Sequence, residues 1–169
     1  MRIQLPWRIE RSAVRVILVD DAGAVLLLSS CEAGNAADGP VWQLPGGSVA
    51  SGETLTEAAL REVHEDTGLA LSPDDVSPAL WRRDVLRRAR GRALLQHEAI
   101  CTVRVKGVAP DVDPAACSEE RSDDPRQYRW WHPGEIGSST DSFYPSNLPQ
   151  HLPALLRTEP VEEPFELVE

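Results

Sequence analysis

Two runs of apolar residues lie close together near the beginning of the chain. Residues 13–19 are rich in β-branched side chains, and residues 24–28 form a second run after the turn residues Asp20, Asp21 and Gly23. This pattern predicts a β-hairpin. Both runs are almost continuously apolar rather than alternating, which is typical of strands covered on both faces. We therefore expect helices to pack on each side of the sheet.

The rest of the chain alternates between apolar segments and segments rich in Gly and Pro. A helix is expected over residues 55–67, because this segment contains neither Gly nor Pro and precedes Gly68, a favoured residue for a left-handed helix cap. Residues 107–125 have the composition of a loop. The same patterns predict six further elements: a short strand at 41–44, an antiparallel strand pair at 79–86 and 94–105, a strand at 126–131, a helical turn at 133–136 and a closing helix at 148–156.

Length and composition indicate one globular domain. A chain of 169 residues with 41% hydrophobic residues can bury most of its surface around a single core. We expect this domain over residues 1–157 and a disordered tail over 158–169, where two prolines and five glutamates lie. No apolar run is long enough to span a bilayer, and no apolar segment precedes a small-residue cleavage site. We therefore expect a cytoplasmic protein without a membrane partner.

The net charge of −10 opposes broad attraction to nucleic acid. We accordingly expect a small phosphorylated molecule as partner rather than a nucleic-acid polymer. The charge is unevenly placed, however, because residues 81–106 contain eight basic residues and only two acidic ones. This segment is compatible with contacts to the phosphates of a small ligand and also with a solvated hairpin that directs its arginines outward. The candidate phosphate-binding residues are Arg82, Arg83, Arg87 and Arg88.

Residues 47–69 carry six residue identities at fixed spacing. If each identity has a chance of roughly one in fifteen, the six together occur about once in 10⁷ starting positions, so coincidence is a poor explanation. The six residues are Gly47, Glu53, Arg61, Glu62, Glu65 and Gly68.

Three carboxylates of this segment share one face of the expected helix. Each residue turns the helix by about 100°, so Glu62, Glu65 and Asp66 fall within an arc of ~100°. Neighbouring carboxylates repel one another unless a cation lies among them. Oxygen ligands favour a hard cation, so we expect Mg²⁺, with Mn²⁺ as a plausible substitute. The four histidines have no zinc-like spacing.

Such a site predicts hydrolysis of a phosphoanhydride, because a bound metal stabilises phosphoryl charge and a carboxylate can deprotonate water. Gly46 and Gly47 allow the backbone to approach a metal or a phosphate. Glu53 and Arg61 are expected to form a salt bridge that connects the preceding loop to the helix and so supports the site. Gly47 and Gly68 are expected to support the site through their backbone conformation. The alternative for the three carboxylates alone is an exposed acidic helix with an ordinary cap.

With these residues, the segment 47–69 resembles the Nudix box of hydrolases that act on nucleoside diphosphates linked to another moiety. The resemblance implies an α/β fold, an α/β/α sandwich with a mixed β-sheet. It also implies that Glu65 and Asp66 are metal ligands, that the Gly46 carbonyl is another, and that Glu62 is a ligand or the catalytic base. Asp66 departs from the usual glutamate, which puts its direct ligation in doubt.

Many members of this family supply a further carboxylate from outside the box. Glu98 is the candidate for this carboxylate, because Gln96 and Glu98 resemble a recurring family segment. Glu119 and Glu120 are the other candidates. The alternative for Glu98 is that it is a surface residue of a strand without a role in the site. The resemblance implies a hydrolase of nucleoside triphosphates, nucleotide-sugars, ADP-ribose or similar compounds, and the alternative is a nucleotide sensor or scaffold without turnover. Family members are often dimers, so a homodimer that exchanges residues 1–11 is also compatible with the sequence.

Overall fold

The computed structural model describes residues 8–30, 39–89, 92–113, 127–163 and 166–168. Within these ranges the strands are β1 Arg8–Val19, β2 Val25–Ser30, β3 Val41–Gln43, β4 Gly46–Ser48, β5 Trp81–Ala89, β6 Arg92–Arg104, β7 Tyr128–Trp131, β8 Ser142–Tyr144, β9 Val161–Glu162 and β10 Glu166–Val168. The α-helices are α1 Leu55–Thr67, α2 Pro133–Ser138 and α3 Leu148–Leu156. Residues 1–7, in the proposed exchanged arm, and Glu119 and Glu120 lie outside the described residues.

The strands form one mixed sheet. Its main order is β10-β5-β6-β1-β2-β3-β8, with β4 paired to β1, β7 to β2 and β9 to β5. The predicted hairpin of β1 and β2 is antiparallel, and so is the predicted pair of β5 and β6. At the centre, β1 and β6 run parallel from the pair Arg8–Ala93 to the pair Val19–Arg104. This long pairing sets which side chains of the two strands lie beside each other.

Both faces of β1 are largely buried from Ala13 onward, as the nearly continuous apolar sequence of residues 13–19 predicts. Val14, Val16 and Leu18 pack in one core with Ala58 and Val63 of α1. On the other face of β1, Ile17 and Val19 belong to a second core, to which α2 and α3 contribute. The expected sandwich, with helices on each side of a mixed sheet, is therefore confirmed.

Helix α1 has the bounds that its sequence predicts. It begins after Thr54, whose side chain accepts a hydrogen bond from the Glu57 amide, while the Glu57 side chain accepts one from the Thr54 amide. It ends at Gly68, which has a φ of 73° in the left-handed region. A cap of the Thr54 kind typically stabilises a helix by about 1 kcal/mol. The two ends therefore fix where the carboxylates of the helix lie along its axis.

The structure differs from the sequence-based expectation in two strand regions. Gly46–Ser48, expected to end a strand, forms β4 and pairs with Ala13, Val14 and Arg15 of β1. The tail expected to be disordered contains β9 and β10, which pair in parallel with β5, so that expectation is wrong for these two strands. The backbone groups along β5 give the tail hydrogen-bond partners that composition does not reveal. No helix within the described ranges is both long enough and apolar enough to cross a membrane.

Candidate functional site

The two glycines of β4 bring its backbone against β1 and against α1. A Cβ atom on Gly46 would lie 2.1 Å from the carbonyl oxygen of Val14, and its φ of 141° is one that other residues rarely adopt. A Cβ atom on Gly47 would lie 2.5 Å from Glu62 Oε2. Gly46 is thus required by the sheet, whereas Gly47 makes room for a carboxylate.

Asp66 holds the same backbone segment from the helix. Its Oδ2 accepts a hydrogen bond from the Gly46 amide at 3.0 Å. The aspartate side chain, which is shorter than the usual glutamate at position 66, therefore holds the loop through this hydrogen bond. The carbonyl of Gly46 faces Arg15, whose Nη1 lies 3.4 Å from it.

The salt bridge predicted between Glu53 and Arg61 is present and is bidentate. Arg61 Nε donates to Glu53 Oε1 at 2.8 Å and Nη2 donates to Oε2 at 3.0 Å. Arg61 also donates to the Ser48 carbonyl at 2.9 Å and to Glu62 Oε1 at 2.8 Å. The hydrogen bonds from Arg61 lower the pKa of Glu53 to about 2. Arg61 therefore connects the loop before α1 to the carboxylate that faces Gly47.

The electrostatic surroundings of Glu62 shift the pKa of its carboxyl group. Burial raises the pKa of its carboxyl group, and the nearby negative charges of Asp66 and Glu65 raise it further, while Arg61 opposes the rise. The side chain of Glu65 is more open to solvent than that of Glu62, with exposed fractions of 45% and 13%. A partly buried carboxylate with a raised pKa is the kind of group that acts as a general base.

The donors of this site are hard oxygen atoms. They are the side chains of Glu62, Glu65 and Asp66 together with the Gly46 carbonyl. Across the part of the chain that the structure describes, no group of three or more His, Cys, Asp and Glu side chains converges into a ready-made metal cage. Mg²⁺ does not need one, because it commonly binds one or two carboxylates and completes its shell with water and substrate phosphates. The donor set therefore fits Mg²⁺ by its chemistry.

Glu98, the predicted carboxylate from outside the box, lies in a buried polar network. It is 1% exposed, and its Oε1 accepts hydrogen bonds from Gln96 Nε2 at 2.5 Å and from the Tyr144 hydroxyl at 2.7 Å. Its carboxylate also lies 3.7 Å from Arg15 Nε and 3.5 Å from Arg83 Nη1. The contacts of Glu98 are thus those of a buried counter-ion for two guanidinium groups.

The predicted phosphate-binding arginines of β5 divide between two faces of the sheet. Arg83 and Arg87 lie over the Tyr144 ring, 5.4 and 4.7 Å from its centroid, and Arg15 of β1 lies 5.4 Å from the same point. Arg82 is exposed and lines a cavity of about 390 Å³ together with Leu55 of α1, and Arg83 and Glu98 belong to the same lining. Arg88 is also exposed. Since side chains alternate along a strand, residues 83 and 87 share a face that residue 82 does not.

Sequence reasoning missed Arg15 and Tyr144. A signal existed for Arg15, because it is the one charged residue in the apolar run 13–19. A charge at such a position must find a buried partner or a ligand. Tyr144 had no comparable signal, since its place depends on the parallel pairing of β8 with β3.

Comparisons with known proteins agree with this architecture. A family model described as the NUDIX domain matches residues 9–151. The chain is 30% identical over 147 residues to an RNA pyrophosphohydrolase from Dinoroseobacter shibae, which covers 82% of this chain and 85% of that protein. It is 31% identical over 144 residues to an RNA pyrophosphohydrolase from Novosphingobium aromaticivorans, covering 73% of this chain and 81% of the relative.

Solved structures share the fold at lower identity. A MutT protein from Methanosarcina mazei Go1 superposes with a TM-score of 0.57 at 22% identity, covering 80% of this chain and 86% of that one. A C. elegans Ap4A hydrolase superposes with a TM-score of 0.55 at 18% identity, covering 87% and 98%. These likenesses support the α/β class and the mixed sheet.

Proposed function

The chain belongs to the NUDIX domain family, and from this premise we propose that it is a Mg²⁺-dependent hydrolase that cleaves a phosphoanhydride bond in a nucleoside diphosphate derivative. The observation that carries the proposal is the placement of Glu62 and Asp66 of α1 against the backbone of Gly46 and Gly47. That arrangement combines carboxylates, a backbone carbonyl and a raised carboxyl pKa in one small volume.

The metal-binding part of the proposal assigns roles to oxygen atoms on two elements. Glu62, Glu65, Asp66 and the Gly46 carbonyl would hold Mg²⁺, or Mn²⁺ in its place. When bound, the ion would neutralise phosphoryl charge and lower the pKa of a coordinated water. Gly46 and Asp66 are already joined by a hydrogen bond, so the loop and the helix keep a fixed separation before any ion binds.

The chemical part of the proposal assigns proton transfer to Glu62. Its carboxylate is partly buried and its pKa is raised, which makes it a stronger base than an exposed glutamate. Arg61 keeps it oriented through the hydrogen bond at 2.8 Å and is itself fixed by Glu53. In this account Glu62 accepts a proton from the attacking water, while Glu53 and Arg61 position it. General-base assistance of this kind typically contributes about 10²–10⁴-fold in rate.

A second candidate substrate is the triphosphorylated 5′ end of RNA. The observation in its favour is that two relatives, each aligned with more than two thirds of this chain, are named RNA pyrophosphohydrolases. The net charge of −10 opposes broad binding of a polymer but leaves room for local recognition of a terminal phosphate group. A sensor or scaffold without turnover is the remaining alternative, and the retention of both Glu62 and Glu65 argues against it.

A substrate panel tests the proposal. The purified chain is incubated with Mg²⁺ and nucleoside triphosphates, dinucleoside polyphosphates, ADP-ribose, nucleotide-sugars and a short 5′-triphosphorylated RNA, and products are followed by chromatography. Turnover that is lost in Glu65→Gln supports the hydrolase and identifies its substrate class. Binding of a nucleotide without turnover of any compound supports the sensor and contradicts the proposal.

A further inference from the structure

We propose that Arg15, Arg83 and Arg87 form, on the ring of Tyr144, a binding site for an additional phosphate group of the substrate. The site would make triphosphates and longer polyphosphates better substrates than diphosphates joined to a neutral sugar. This inference rests on the hydrolase function proposed above and adds a substrate class to it. The four residues are called the arginine cluster below.

The arginine cluster is assembled by three strands that meet only in the folded sheet. Arg15 comes from β1, Arg83 and Arg87 come from β5, and Tyr144 comes from β8. All three guanidinium groups lie within 5.4 Å of the ring centroid, as cation–π contacts do. An aromatic platform of this kind keeps positively charged groups together that would otherwise repel one another.

Two carboxylates of the described residues lie near the guanidinium groups of the cluster. The three guanidinium groups are opposed by Glu98 and, from the C-terminal segment, by Glu163, which lies 3.7 Å from Arg83 Nε. These separations of 3.5–3.7 Å are those of loose ion pairs rather than of bidentate hydrogen bonds. Arg83 is only 3% exposed, so electrostatic interactions here are poorly screened by water. An anionic ligand would therefore interact strongly with these guanidinium groups.

Unused hydrogen-bonding capacity points in the same direction. Within the described residues, Nε of Arg15 and Nε of Arg87 are buried and have no hydrogen-bond acceptor. Oxygen Oε2 of the buried Glu98 also lacks a hydrogen-bond donor, so the pairing of this network is incomplete. Most buried polar groups in proteins are paired. Phosphate oxygens match the geometry of guanidinium donors and can accept from more than one of them.

The position of the cluster identifies which phosphate it would bind. Arg15 Nη1 lies 3.4 Å from the carbonyl of Gly46, a proposed ligand of the metal that holds the scissile diphosphate. A group bound by Arg15 is therefore the next one along the substrate. A ribose at that position would leave the buried Nε atoms of Arg15 and Arg87 without acceptors, whereas a further phosphate would pair with them. Arg87 and Tyr144 are only partly buried, so this group can enter from solvent.

Binding of inorganic tripolyphosphate to the metal-free full-length chain tests the cluster independently of turnover. Isothermal titration calorimetry would compare the wild type with Arg87→Gln and with Arg104→Gln, an exposed arginine near the end of β6. We expect Arg87→Gln to weaken binding at least about tenfold, as expected for loss of a charged hydrogen-bond donor. Arg104→Gln should bind as the wild type does. Where Arg87→Gln fails to fold, Arg87→Lys against Arg104→Lys is the deciding comparison, with a loss of several-fold expected only in the former.

A kinetic arm tests the selectivity. Arg87→Gln should raise KM for a nucleoside triphosphate about tenfold and leave KM for ADP-ribose unchanged. Tripolyphosphate binding that depends on Arg87 supports the cluster even if no compound is hydrolysed. The absence of hydrolysis would overturn only the proposed hydrolase function. The cluster is overturned by a wild type that does not bind tripolyphosphate, by equal effects of the Arg87 and Arg104 variants, or by equal KM changes for both substrates.

Discussion

The carboxylate of Glu62 lies so close to the backbone of Gly47 that a Cβ atom added to Gly47 would be 2.5 Å from Glu62 Oε2. Gly47→Ala should therefore displace the carboxylate. Because the conflict involves the far end of a flexible side chain, we expect the fold to persist while turnover falls about 10²-fold, as small misplacements of catalytic groups can cause. Steady-state kinetics beside thermal unfolding would measure both effects. Unchanged turnover would contradict the role given to Glu62.

Gly46→Ala should instead destabilise the fold. The added Cβ atom would lie 2.1 Å from the Val14 carbonyl, and φ is 141°, so the backbone of β4 must move. We expect a loss of roughly 3 kcal/mol in the free energy of unfolding, measured with urea. Gly137→Ala is the control, since nothing lies within 4 Å of a Cβ atom at that exposed position. Equal effects of the two substitutions would show that the contact with Val14 is unimportant.

The bridge between Glu53 and Arg61 should make stability depend on pH in a defined window. The pKa of Glu53 is lowered from 4.5 to about 2 in the folded chain, so the unfolded chain binds more protons between these values. The stabilisation that the ionised Glu53 gives to the folded chain is therefore complete above pH 4.5 and is lost as the pH falls toward 2. The difference in unfolding midpoint between the wild type and Glu53→Gln should shrink across this window. A difference that stays constant down to pH 2 would contradict the prediction.

Removal of Glu98 should destabilise the chain more than removal of an exposed glutamate. Glu98→Ala removes the carboxylate shared by the guanidinium groups of Arg15 and Arg83, and breaking a buried ion pair in this way typically costs about 3–5 kcal/mol. Glu159→Ala, which removes an exposed pair with Arg157, is the control and should have a much smaller effect. Urea unfolding would compare the two. Unchanged stability together with lost Mg²⁺ affinity in Glu98→Ala would instead identify Glu98 as a metal ligand.

Local signals account for the parts of the fold that sequence reasoning predicted correctly. The bounds of α1 follow from its composition and from Gly68, and the hairpin follows from two apolar runs around turn residues. The pairing of the tail with β5 could not be predicted in this way. Strand pairing between distant segments depends on which sheet edge is open in the folded chain, and a short segment rich in glutamate and proline gives no local sign of it.

The site shows the same division between local and long-range information. Glu62, Glu65 and Asp66 share a face because they lie on one helix, so their spacing alone is sufficient to group them. Arg15 and Glu98 meet because β1 and β6 pair in parallel over their whole length. That register is a property of the sheet, so the contact between Glu98 and Arg15 could not be predicted from local spacing.

The most direct test of the proposed mechanism is the rate of phosphoanhydride cleavage in Glu62→Gln, followed by ³¹P NMR with the best substrate of the panel. The wild type should turn over with Mg²⁺ and stop when EDTA removes the metal. Glu62→Gln should lose about 10²–10⁴-fold in kcat while remaining folded, because a neutral side chain relieves the burial of a charge whose pKa is already raised. Turnover that survives either the substitution or the removal of Mg²⁺ would contradict the account.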